Sequence, residues 1–196
     1  MSQSISVWNN SLDQAEKALQ KFKNDQSLVK LCAALGDDIV QTFKRDAKIL
    51  ICGNGGSHCD ALHFAEEWTG RYRKDRKALP VLALGEASHT TCVSNDFGFE
   101  KVFSRQIEAF AKKEDLLITL TTSGNSKNIL EALDAAKKIG TATWALLGKD
   151  GGKAKAAASH ALIVPGETTD RIQELHMLIL HIAIEHAERI LFPENY

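Results

Sequence analysis

The chain has 196 residues, 44% of them hydrophobic and 25% charged, which allows a sizeable core and excludes disordered and fibrous classes. Lysine and arginine number 24 against 25 aspartates and glutamates, a net charge of −1, so no global field favours nucleic acid or an anionic membrane. Whatever the protein binds is selected by a local site.

Residues 4–45 read as two amphipathic helices, an N-terminal pair assigned to 1–45 that packs on the rest of one domain spanning 1–196. Trp8, Leu12, Ala15, Leu19 and Phe22 repeat at helical spacing in the first, and Leu28, Leu31, Leu35, Ile39 and Phe43 in the second. Asn24 and Asp25 break between them, and Asp46 ends the pair. Short apolar runs then alternate with helical segments at 49–52, 81–84, 116–120, 143–147 and 161–164. Uninterrupted runs of this kind suit parallel strands buried on both faces. The expected fold is α/β: a doubly wound five-stranded parallel sheet flanked by helices. A final helix at 169–191 is apolar nearly all round, so it is expected to pack between subunits of an oligomer.

Cys32, Cys52, Cys59 and Cys92 lack the spacing of a metal or disulfide framework and read as free thiols in a reducing compartment. No secretory signal opens the chain and no apolar stretch of about 18 residues crosses a membrane. A soluble, cytoplasmic protein is the expectation.

Ligands of open parallel sheets gather at the carboxyl ends of the strands. After the first run comes Gly53-Asn54-Gly55-Gly56-Ser57, where glycine lets the backbone approach a ligand and Ser57 with Asp60 resembles a capping box. The turn reads equally as strand-to-helix punctuation. After the third run, Thr121-Thr122-Ser123-Gly124-Asn125-Ser126 precedes a helix, offering four hydroxyls and free helix N–H groups to a phosphate, or an ordinary serine cap at Ser126. His63 and Glu67 lie four apart on one helical face, a spacing that suits proton transfer, a divalent metal or a surface ion pair. Gln173 and His181 stand eight apart on the last helix, about 12 Å along its axis, and address one site only by converging or by coming from different subunits. The basic run 71–77 reads as a solvated loop, or as an attractor of an anionic ligand.

Taken together, residues 52–67, 69–73, 94–98, 122–126, 148–152 and 170–174 closely resemble the bacterial phosphoheptose isomerases of the sugar isomerase (SIS) domain family, and the likeness covers nearly the whole chain. The resemblance implies a homotetramer with sites at subunit interfaces. It also implies an aldose-ketose isomerase that converts sedoheptulose 7-phosphate to D-glycero-D-manno-heptose 7-phosphate through an enediol(ate), for ADP-heptose and lipopolysaccharide core synthesis. Position by position, Asn54, Gly55, Gly56 and Ser57 would contact substrate, Asn95 and Asp96 would hold sugar hydroxyls, and Thr121, Thr122, Ser123 and Ser126 would cradle the phosphate. Glu67 would be the base and also touch substrate, and His181 its acid partner. His63, Glu67, Gln173 and His181 match the family's zinc positions, one ion per subunit, while Arg71, Asp170 and Gln173 fall near the substrate. Thr121 stands where the family pattern usually has serine. The C-terminal residues 191–196 look more like a non-catalytic relative that associates with the DnaA replication initiator, which supplies the alternative function.

Overall fold

The structure, a computed structural model, describes residues 3–196; residues 1 and 2, where the expected domain and helical pair begin, lie outside the described residues. Helix α1 (Gln3–Asn24) is followed by α2 (Gln26–Lys44). The break falls where expected, because Asp25 caps α2 through bonds from the Ser27 and Leu28 backbone N–H groups at 3.0 and 3.2 Å. Asp46 then turns the chain in the left-handed region at φ 58°.

Five strands follow: β1 (Ile49–Gly53), β2 (Val81–Ala83), β3 (Leu116–Thr121), β4 (Ala142–Leu147) and β5 (His160–Ile163). All their pairings are parallel, in the order β2-β1-β3-β4-β5. The five expected runs are these strands, displaced by a residue at some ends, as apolar patterning fixes a strand's centre better than its limits. Alternate residues feed two cores. Ile49, Ile51, Ile118, Leu120, Trp144 and Leu146 face α1, α2, α3 (Gly56–Thr69) and α8 (Thr169–Leu191). Leu50, Cys52, Leu117, Ala145 and Leu147 face α4 (Ala87–Phe97), α5 (Ser104–Phe110), α6 (Lys127–Ile139) and α7 (Ala154–Ala157).

The two N-terminal helices differ in how they use their apolar stripes. Leu35 and Ile39 of α2 are fully buried, whereas Trp8 of α1 is 71% exposed and Leu12 and Leu19 are exposed beside it; Ala18 and Phe22 alone seat α1 on the core. Helix α8 runs as expected and packs on α1, α2 and α3, with Ile182 and Ile190 left exposed. No helix among the described residues is long and apolar enough to cross a membrane.

His176, on the core side of α8, is buried with its Nε2 3.1 Å from the Leu147 carbonyl oxygen and its Nδ1 without a partner. Burial pushes the imidazole down to about 4. The unfolded chain takes up a proton below about 6.5, the folded protein only near 4, so stability is complete above the higher value and falls progressively through that window. The expected loss reaches roughly 3 kcal/mol at its lower end. Denaturant unfolding at pH 7.5 and 5.0 should show this pH-dependent loss shrink in His176→Gln; an equal loss in both proteins would assign it elsewhere.

Candidate active site

Strands β1 and β3 are neighbours, but the chain leaves them toward opposite edges of the sheet, and this divergence opens a crevice at their carboxyl ends. Gly53 pairs with Leu120 in the register, so the turns that follow stand face to face. The two turns are tied by a reciprocal amide pair: Asn54 Nδ2 donates to Asn128 Oδ1 at 2.9 Å, and Asn128 Nδ2 to Asn54 Oδ1 at 2.7 Å.

Between them lies a cavity of about 290 Å³ lined by Asn54, Gly55, Gly56, Ser57, Thr121, Thr122, Ser123, Ser126 and Gln173, together with Leu120 and Thr169. Nine residues singled out in the sequence therefore converge on one space. The capping box expected of Ser57 and Asp60 is absent. Helix α3 starts two residues earlier, Gly55 occupies the cap position with φ 55°, and the Ser57 hydroxyl instead accepts from Gln173 Nε2 at 3.2 Å. Close approach explains Gly56, where a β-carbon would come within 2.7 Å of the Gln173 amide oxygen.

Ser126 stands at the cap position of α6, yet its hydroxyl makes no cap bond and shares a long hydrogen bond of 3.5 Å with Thr121 Oγ1 on the cavity wall. The hydroxyls meet the positive end of the α6 dipole, the arrangement that binds anions. This loop is braced from behind by 148–152. At Gly124, with φ 65°, a β-carbon would lie 2.0 Å from the Gly151 carbonyl oxygen, and the Ala154 N–H donates to the Gly124 carbonyl at 2.9 Å.

Further along α3, a second cluster forms on the side facing α8. Glu67 Oε1 lies 3.4 Å from His63 Nε2 and 3.6 Å from His181 Nε2, and the two imidazoles meet edge to face with ring centres 5.1 Å apart. Glu67 is only 8% exposed, and its Oε2 is buried without a hydrogen-bond partner. Burial raises its carboxyl above the ordinary range, with His63 partly opposing the shift. Burial, then His63 and Arg73, lower the His181 imidazole, over which the Tyr72 ring stacks at 5.9 Å. A basic carboxylate beside a poorly basic imidazole is a pair suited to moving protons at neutral pH.

The same three residues offer ligand atoms within 4.8 Å of one another. Two donors about 2.0 to 2.1 Å from a tetrahedral zinc lie about 3.3 Å apart, so the 3.4 and 3.6 Å separations suit a shared ion. The unmet Oε2 is a further acceptor that a cation would satisfy. Gln173 serves the other end of the seam, on Ser57.

The remaining predicted residues are exposed and do not line the cavity. Asn95 and Asp96 bond to each other at 2.8 Å near the end of α4, Arg71 lies in the loop after α3, and Asp170 sits in the first turn of α8. Bonds from Thr168 and Arg171 pull the Asp170 carboxyl down to about 2. Sequence reasoning missed Asn128, Tyr72 and Arg76. Arg76 is the exception to the solvated-loop reading, which holds for the exposed Arg71, Arg73, Lys74 and Lys77: its side chain is 1% exposed and paired with Glu188 at 2.8 Å. Nothing in its local pattern distinguishes it from the lysines around it.

A family model described as the SIS domain matches residues 12–148. The chain is 51% identical over 178 residues to the phosphoheptose isomerase of Fusobacterium nucleatum, covering 91% of this chain and 92% of that one. It is 51% identical over 179 residues to the phosphoheptose isomerase of Vibrio cholerae, covering 91% and 94%. The solved phosphoheptose isomerase of Neisseria gonorrhoeae superposes with a TM-score of 0.89 at 36% identity, covering 95% of this chain and 99% of that one. Fold and crevice define a SIS-domain sugar-phosphate isomerase. Within that class the chain belongs to the phosphoheptose isomerase family.

Ser126→Ala removes a hydroxyl directed at the cavity without removing a helix cap. Affinity for a phosphosugar, measured by calorimetry, should fall by roughly 1.5 to 3 kcal/mol, the worth of a hydrogen bond to a charged acceptor, while the melting temperature stays near wild type. Unchanged affinity would place the phosphate outside this turn.

Proposed function

We propose that the enzyme interconverts sedoheptulose 7-phosphate and D-glycero-D-manno-heptose 7-phosphate, supplying ADP-heptose and lipopolysaccharide core synthesis, and that it does so by proton transfer at Glu67. The observation that carries this reading is the buried Glu67 carboxylate, held between two imidazoles within the same fold as its phosphoheptose isomerase relatives. The phosphate is anchored by Thr121, Thr122, Ser123 and Ser126, and Asn54 through Ser57, with Gln173, line the path of the sugar. Asn95, Asp96, Arg71 and Asp170 act on the sugar from the rim or from a neighbouring subunit.

In the ketose-to-aldose direction Glu67 takes the proton from C1, and electrons shift toward the C2 carbonyl, whose oxygen receives a proton from His181. The enediol(ate) so formed collapses when a proton returns to C2 and the O1 proton leaves to His181. The product is an isomer of the substrate, with no net gain or loss of protons. Burial of Glu67 strengthens it as a base and the lowered basicity of His181 makes its imidazolium a better acid.

His63, Glu67 and His181 would hold one zinc ion per subunit, with Gln173, which within the chain bonds Ser57 at the other end of the seam, reaching it as a fourth ligand from a neighbouring subunit; when bound the ion supplies Lewis-acid polarisation of the substrate oxygens. The bare stripe of Trp8, Leu12 and Leu19 supports a homotetramer with sites at its interfaces. Four free cysteines support a cytoplasmic location and a single domain without covalent cross-links. The initiator-associating alternative gains no support from the relatives, which are isomerases.

Glu67→Gln and His181→Gln keep the size and polarity of their parents. Each should lower turnover of sedoheptulose 7-phosphate by at least about a hundredfold with phosphosugar binding retained, and zinc assayed on the same preparations should be lost in His63→Ala. Near-wild-type turnover in Glu67→Gln would remove Glu67 from the chemistry.

A further inference from the structure

Residues 192–196 are folded against the site's supports. Phe192 enters the core, the Asn195 amide donates to the Asp75 carbonyl oxygen at 3.0 Å, and the Tyr196 hydroxyl donates to Glu188 Oε2 at 2.8 Å beneath the Arg189 guanidinium, 4.4 Å from the ring centre. The other oxygen of Glu188 receives Arg76 Nε at 2.8 Å, and both side chains are almost wholly enclosed.

Arg76 spends its remaining N–H groups on backbone carbonyls at the end of α3. Nη2 donates to the Glu67 carbonyl at 2.5 Å, and Nη1 to those of Trp68 and Gly70 at 2.8 and 3.2 Å. The last carbonyls of a helix have no partners within it, and a buried guanidinium bonds two of them here, together with the Gly70 carbonyl just beyond the helix end. Glu188 lies seven residues beyond His181, two turns further along the same face of α8. The buried pair therefore bridges the two helices at the end nearest the acid-base residues. The loop that contains Arg76 also carries Tyr72, stacked on His181, and Arg73, paired with Glu185 at 2.9 Å.

We infer that Tyr196, Glu188 and Arg76 form a positioning strap, in which residues 192–196 clamp the loop after α3 onto α8 and so fix the Glu67 to His181 separation and the Tyr72 stack. The inference rests on the assignment of Glu67 and His181 as base and acid. A strap of this kind acts on the reacting end of the crevice and leaves the phosphate turn, at the other end of the α3 to α8 seam, untouched. It therefore predicts a loss confined to kcat. Small displacements of reacting groups are costly: about 1 Å can remove a hundredfold in rate.

The test is Tyr196→Phe, which keeps the ring under Arg189 and deletes only the hydroxyl that Glu188 accepts from, compared with Asn195→Ala and with Glu67→Gln in the same assay. Tyr196→Phe should lower kcat about tenfold, Asn195→Ala by less, and the double variant no more than additively in log rate, all with KM for sedoheptulose 7-phosphate and calorimetric affinity for inorganic phosphate unchanged. Wild-type kcat in Tyr196→Phe, while Glu67→Gln is inactive, overturns the strap alone. A parallel fall in kcat, phosphate affinity and melting temperature also overturns it, because that pattern is general loosening. Full activity in Glu67→Gln overturns the underlying assignment and the strap with it.

Discussion

Helices α3 and α8 lie against one another on one face of the sheet, and three contacts spaced along their seam decide what chemistry can occur there. At one end Gln173 presses on Gly56 and bonds Ser57, beside the phosphate turn. In the middle His181 meets Glu67 and His63. At the far end Glu188 holds Arg76, which in turn holds the final carbonyls of α3. The contacts advance in the same direction along both helices, so the proposed anion site and the proposed proton-transfer site are fixed relative to one another by two rigid elements. A sugar phosphate long enough to span from the crevice to Glu67 has one end anchored while the other reacts, which is how binding energy from a remote group serves the chemical step.

Energetically the seam is apolar at its base and polar where it works. Ile172, Ile179, Leu180 and Ile184 supply the burial that keeps α8 on the sheet, each side chain contributing on the order of 1.5 to 3 kcal/mol against exposure. The polar groups do not add to that stability in proportion. An enclosed ion pair such as Arg76 with Glu188 gains little over an apolar pair, but loss of one partner leaves a buried charge at a cost of about 3 to 5 kcal/mol. Its value lies in fixing one geometry. Glu67 is the opposite case: a buried carboxyl with one oxygen unsatisfied costs stability, and such strain is expected where a group must stay reactive.

Most of the fold was legible because parallel strands buried on both faces leave uninterrupted apolar runs, and 49–52, 116–120 and 143–147 are strongly of that kind. The turns at 53–57 and 121–126 were legible as a site because their glycines and hydroxyls follow strands and precede helices. Local pattern misassigned Ser57, whose hydroxyl goes to a residue 116 positions away rather than to its own helix. Arg76 and Asn128 were invisible for the same reason: each is defined by partners far along the chain, Glu188 and Asn54. Asn95 and Asp96 came from resemblance alone, and they lie exposed on α4 and do not line the cavity between the two turns.

In the proposed reaction Glu67 removes and returns a carbon-bound proton. The most direct measurement is exchange of solvent label: the wild-type enzyme, incubated with sedoheptulose 7-phosphate in deuterated water, with both sugars recovered and read by mass spectrometry and NMR. Deuterium is expected at the C2 carbon of the aldose and, on reversal, at C1 of the ketose, wholly or partly, because a carboxylate exchanges its proton with solvent between capture and return. Isomerisation with carbon-bound hydrogen carried over intact, even at low conversion and long residence, would contradict it and point to direct hydride transfer between C1 and C2.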